Sequence, residues 1–194
     1  MTSEFYEAFE DPYTYPGTNV LKNKLGIRDA GKLESFELEM AALRADEPLP
    51  RGRLSPTHYR NIHHFLFQDV YGWAGRYRSV RMAKDENAFC YPENIDQEMR
   101  KHFGSLRDAK FLKGMPAGHF SRSAAIFLAE LNAIHPFREG NGRTQTSFLA
   151  VLADAAGHPI DLTFIRRETF LPAMVMSFAG DIEPLEKEIR RMLR

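Results

Sequence analysis

Two apolar stretches, Ser123 to Ile134 and Thr144 to Ala156, read as helices on either side of one interrupting run. That run is His135-Pro136-Phe137-Arg138-Glu139-Gly140-Asn141-Gly142-Arg143, a helix–loop–helix junction in mid-chain. The second helix begins at the loop, so its unpaired N–H groups and the positive end of its dipole face whatever the loop holds. Gly140 and Gly142 let the backbone approach a ligand without a Cβ in the way, and Pro136 stiffens the turn. Within nine residues the run carries a titratable base, a carboxylate, an amide and a guanidinium, which is the inventory of an anion cradle with a base beside it.

Helical spacing recurs along most of the chain. Leu33, Phe36, Met40 and Leu43 form one stripe, Tyr59, Ile62, Leu66 and Val70 a second, and Ile95, Met99, Phe103 and Leu106 a third. Ile182, Leu185, Ile189 and Met192 carry the pattern to the C-terminus. Ser55-Pro56 supplies a cap and first turn for the second stripe, and Gly157 a stop after the loop helix. One interval differs: Tyr77 to Met82 and Ala88 to Tyr91 are β-like runs around Lys84-Asp85-Glu86-Asn87, which reads as a hairpin. With 43% apolar and 12% aromatic residues, 194 residues bury one core, so residues 1–194 are expected to be a single, mainly α domain.

The 26 basic and 26 acidic side chains cancel, which argues against a nucleic-acid or anionic-membrane footprint and leaves phosphate recognition to local groups. No apolar run approaches the ~20 residues of a membrane span, and the acidic start (Glu4, Glu7, Glu10, Asp11) is unlike a signal peptide, so a soluble, cytoplasmic protein is expected. Cys90 is the only cysteine and cannot form an internal disulfide. His58, His63 and His64 lack the two-histidine, one-glutamate zinc pattern and read as structural, and no Walker-type loop is present.

The loop resembles the signature of the Fic family: His, any, Phe, any, Asp or Glu, Gly, Asn, Gly, Arg, any, any, Arg. Every defined position matches except the last, which is Thr146. Asp11 to Thr18, Leu21 to Ile27, Phe67 to Gly75 and Glu130-Leu131-Asn132 are also similar to bacterial Fic toxins and effectors. The resemblance implies an all-α Fic helical bundle with a small β-hairpin flap: an N-terminal extension over about residues 1–28, a core over about 29–160 and C-terminal helices over about 161–194. It implies a protein AMP-transferase that uses ATP and Mg²⁺ to modify a Tyr, Ser or Thr hydroxyl of a target protein. His135 would be the general base and Glu139 the Mg²⁺ ligand, while Gly140, Asn141, Gly142 and Arg143 would hold the ATP phosphates. Phe137 reads as a loop anchor. Lys84, Ala88, Phe89, Cys90 and Tyr91 would form the flap that docks an extended stretch of the target.

Many family members are restrained by a glutamate in the pattern Ser or Thr, three residues, Glu, then Gly or Asn. Ser3 to Glu7 has the spacing but is followed by Ala8, so restraint by a separate small antitoxin is expected. The alternatives are a Fic-like transfer of another nucleotide or phosphate, or a non-catalytic nucleotide- or protein-binding module, which Thr146 makes conceivable.

Overall fold

The computed structural model describes residues 11–84 and 87–194, with Asn87 through its backbone alone. The Ser3 to Glu7 spacing and the hairpin tip at Asp85 and Glu86 lie outside the described residues. Among the described residues the helices are α1 (Ala30–Ala45), α2 (Pro56–Phe67), α3 (Pro92–Asp108), α4 (Ala117–Ile134), α5 (Asn141–Ala156), α6 (Arg167–Phe178) and α7 (Glu183–Met192). The hairpin strands are β1 (Ala83–Lys84) and β2 (Asn87–Ala88), paired antiparallel with Ala83 opposite Ala88.

Helix α4 is the axis of the bundle, packed against α3, α5, α6 and α7. Its sequence allows this because apolar side chains surround it: Phe120, Ala124, Ala125, Phe127, Leu128, Leu131 and Ile134 are all buried. Helix α2 lies across α5 and α1, held at its start by Ser55, whose hydroxyl accepts the His58 N–H at 3.2 Å, with Pro56 in the first turn. Between these helices Tyr59, Phe103, Phe127, Phe137 and Phe148 form one aromatic cluster. Tyr59 stacks on Phe137 at 5.5 Å and meets Phe148 edge-on at the same distance. Gly157 ends α5 in the left-handed conformation, φ 86°, as its position in the sequence suggests.

Three sequence expectations need correction. Helices α4 and α5 begin earlier than the apolar runs indicate, at Ala117 and Asn141, and Val70 lies beyond the end of α2 although it is buried. The inner face of α1 is Leu33, Glu37 and Ala41, whereas Leu43 is 55% exposed; the helix is turned so that a carboxylate, rather than a leucine, faces inward. The hairpin strands are two residues each instead of the longer runs Tyr77–Met82 and Ala88–Tyr91. The flanking residues spend their peptide groups elsewhere: the Cys90 N–H donates to Ala133 O at 3.1 Å and the Arg78 N–H to Pro136 O at 2.9 Å, tying both shoulders of the hairpin to the end of α4.

Candidate active site

Helix α4 stops where His135 adopts left-handed backbone, φ 47°, while its N–H still donates to Leu131 O at 3.1 Å. A non-glycine residue in this region is uncommon and is held there by its surroundings. The imidazole is buried and lies flat against the Phe89 ring, centroids 4.0 Å apart, so the hairpin ends on one face of the histidine. Five residues on, Gly140 at φ 79° turns the chain into α5, which begins without a side-chain cap. A Cβ on Gly140 would enter the Phe67 ring, so both space and backbone angle demand glycine there. The leading N–H groups of α5 thus have no side-chain cap and lie at the positive end of the helix dipole, beside the loop.

The loop is rigid for reasons visible in its bonds. Asn141 Oδ1 accepts the Phe137 N–H at 3.0 Å and its Nδ2 donates to Phe137 O at 2.8 Å, so the amide clamps the loop across its neck. Phe137 is fully buried, as its reading as an anchor requires, and the His63 ring lies over it at 3.8 Å. Burial of such a ring stabilises by about 1.5–3 kcal/mol. His63, fully buried on α2, accepts the Gly75 N–H at Nδ1 (2.8 Å) and donates from Nε2 to Glu139 O (3.0 Å). Those two bonds define a neutral tautomer, and burial lowers its pKa to about 3. Arg138 forms a buried pair with Asp11 at 2.6 Å, fastening the N-terminal segment to the loop.

The charged side of the site was not foreseen in full. Glu37 of α1, buried, accepts from the Tyr71 hydroxyl at one oxygen and from Arg143 Nη2 at the other. Arg143 Nη2 is also 3.8 Å from Glu139 Oε1, and its guanidinium lies 4.7 Å above the Phe67 ring. Arg143 Nη1 is buried with no hydrogen-bond partner among the described residues, while Nη2 serves Glu37. Glu139 Oε1 accepts the Gly140 N–H at 2.8 Å. Close packing, then the neighbouring charge of Glu37, push the Glu139 carboxyl above the usual carboxylate range. Burial and Glu37 likewise push the Tyr71 phenol upward, which keeps it a donor.

A profile of the Fic/DOC family matches residues 53–153, the segment that contains the loop, His63 and the hairpin. The chain belongs to the Fic/DOC family. It is 49% identical to the probable protein adenylyltransferase y4lH of Sinorhizobium fredii over 97% of this chain and 98% of that one. It is 35% identical to the probable protein adenylyltransferase Fic of Escherichia coli, covering 96% and 93% of the two chains. Among solved structures it is similar to BepC of Bartonella tribocorum with bound AMPPNP, with a TM-score of 0.84 and 29% identity over 94% of this chain and 96% of that one.

Of the signature residues, the structure places His135 at the end of α4, Glu139 and Gly140 in the loop, and Asn141, Gly142 and Arg143 in the first turn of α5. Thr146, at the departure from the signature, lies one turn into α5 and donates its hydroxyl to Arg143 O (3.0 Å) and Gly142 O (3.2 Å). Of the expected flap residues, Phe89 is buried on His135 and its N–H donates to Met82 O at 3.0 Å, while the Cys90 N–H is taken by Ala133. Tyr91 leads into α3 with its ring under Arg81 at 4.4 Å. Because the neighbouring pair is bonded through Phe89 N–H and Met82 O, the alternation of the antiparallel ladder turns the peptide groups of exposed Ala88 away from β1. His58 and His64 bond Pro50 O and Ala74 O, as structural residues do, and among the described residues no group of three metal-ligating side chains exists.

Proposed function

We propose that this chain transfers AMP from ATP to the hydroxyl of a Tyr, Ser or Thr side chain on a target protein, with pyrophosphate as the second product. The observation that carries the reading is a buried histidine in left-handed backbone five residues before an uncapped helix start whose arginine has a spare buried donor. The relatives named protein adenylyltransferases support it.

In this reading the ATP phosphates lie against the first turn of α5, taking N–H bonds from Asn141, Gly142 and Arg143 and a charge-assisted bond from Arg143 Nη1. Glu37, itself held by the Tyr71 hydroxyl, accepts from Nη2 of the guanidinium, so its fork is oriented before nucleotide arrives. His135 accepts the proton of the target hydroxyl as that oxygen bonds to the α-phosphorus. The bond from the α-phosphorus to the bridging oxygen breaks, and the electron pair leaves on pyrophosphate. A base of this kind is worth roughly 10²–10⁴ in rate.

Glu139 fits a Mg²⁺ ligand. One of its oxygens is fixed by the Gly140 N–H, the other accepts no hydrogen bond from the described residues, and the like charge of Glu37 is one that a divalent cation would relieve. Mg²⁺ is commonly held by one or two carboxylates with substrate phosphates, whose charge it neutralises when bound. The target's backbone would extend along the Ala88 edge of the hairpin, a mode that tolerates varied sequences.

Action in the cytoplasm, where ATP is plentiful, and restraint by a separate small antitoxin complete the proposal; the chain contains no full inhibitory glutamate pattern. ATP labelled at the α or the γ phosphate, incubated with protein and host lysate, tests it. Label entering protein from the α position alone is the expected result. Label from the γ position would indicate phosphoryl transfer, and label from neither a binding module.

A further inference from the structure

Arg78 is 2% exposed, a buried guanidinium with no part in the transfer step itself. Among the described residues its side chain donates to four backbone carbonyls. Nε donates to His135 O at 2.8 Å, Nη2 to Ile134 O at 3.3 Å and to Cys90 O at 2.6 Å, and Nη1 to Val80 O at 2.6 Å. Its own N–H donates to Pro136 O at 2.9 Å. A single residue thus binds three consecutive carbonyls, from Ile134 to Pro136, and both shoulders of the hairpin.

The location explains why an arginine is needed. Helix α4 ends here with carbonyls that have no intrahelical donor, at the negative end of its dipole, and a cation that donates to them satisfies both demands. The guanidinium is planar with five donors in fixed directions, so bonds to the helix end and to the hairpin are made together. A lysine ammonium in the same space keeps the charge but cannot span acceptors on both sides.

We propose that Arg78 is a positioning residue that couples the seating of the hairpin to the orientation of His135. It holds the His135 backbone in its left-handed conformation from one side. From the other it sets the strand end that carries Phe89, whose ring lies on the imidazole at 4.0 Å. The base is therefore aligned by the same contacts that seat the hairpin, and hairpin displacement misaligns it. Arg78 touches neither nucleotide nor the reacting atoms and acts through His135. This inference rests on the AMP-transfer reading.

The test compares the wild type, Arg78→Lys, Phe89→Ala and the double variant, each shown to be folded at a temperature well below its melting point. Single-turnover transfer from α-labelled ATP and equilibrium ATP affinity are measured for all four. Arg78→Lys is expected to slow transfer at saturating ATP by about tenfold or more, with ATP affinity within about threefold of wild type, as for an interaction made only through the base. The double variant is expected to be no slower than the slower single variant by more than about twofold, because both changes release the same ring.

A general structural loss would instead lower affinity and rate together, and independent losses would multiply; either result overturns the proposal. So does wild-type turnover in Arg78→Lys. Should Arg78→Lys not fold, Phe89→Ala carries the test, and wild-type transfer in that variant removes the coupling. Absence of α-label transfer by the wild-type protein would count against the function itself, a separate outcome from unaltered transfer in the variants.

Discussion

His63 makes a prediction that can be worked from the structure. Its two ring nitrogens bridge Gly75 N–H and Glu139 O, which fixes it as neutral, and burial lowers its pKa from 6.5 to about 3. The unfolded chain takes up a proton near pH 6.5 that the folded chain refuses until about pH 3. Lowering the pH through that window therefore favours unfolding: the stabilisation is complete above pH 6.5 and is lost progressively as the pH falls toward 3. At about 1.36 kcal/mol per unit, the loss attributable to this group between about pH 7 and about pH 4.5 is about 2–3 kcal/mol. Glutamine at this position offers a donor and an acceptor but does not titrate. Urea unfolding of wild type and His63→Gln at both pH values isolates the effect, since other titrating groups are common to the two proteins. His63→Gln is expected to be less stable at pH 7 by about 1–3 kcal/mol but to lose about 2–3 kcal/mol less on acidification. Equal acid sensitivity in the two proteins would refute the neutral strut.

Two further substitutions address the cradle. Gly140→Ala places a methyl group in the Phe67 ring and forces alanine into left-handed backbone, and is expected to cost about 2–4 kcal/mol, read from chemical denaturation, with ATP affinity falling as the loop shifts. Thr146→Arg adds a guanidinium one turn into α5 where a half-exposed hydroxyl now bonds Gly142 O and Arg143 O of its own helix. A new charge-assisted bond to the γ-phosphate is worth about 1.5–3 kcal/mol, so calorimetry is expected to show ATP binding tighter by roughly tenfold or more. Unchanged or weaker affinity in a folded Thr146→Arg protein would mean that position 146 does not face the phosphates.

The loop was legible in the sequence because its chemistry is contiguous: His135 to Arg143 carries base, carboxylate and helix start together, and no tertiary information is needed to bring them into one place. The partners that orient those groups come from far along the chain and left weaker marks. Glu37 sits in a helix whose apolar stripe suggests a different inner face, and only its pairing with Arg143 and Tyr71 makes a buried acid tolerable there. Arg78 falls within a β-like run, where alternation says nothing about a guanidinium that turns back onto the end of α4. His63 stands in a sequence without a metal-binding pattern, and its neutral bridge depends on Gly75 and Glu139, which only the fold brings to it. The short hairpin has the same origin, since pattern cannot tell a peptide group paired across strands from one taken by a helix carbonyl.

The central claim is that His135 supplies a proton acceptor to a phosphate site built from other residues. It is tested most directly by measuring ATP binding and AMP transfer on the same preparation of His135→Ala. Because the α5 turn, Arg143 and Glu139 are untouched, ATP affinity is expected to stay within about threefold of wild type while transfer of the α-label falls by roughly 10²–10⁴. Transfer at the wild-type rate, or a loss of ATP binding as large as the loss of transfer, would contradict the account.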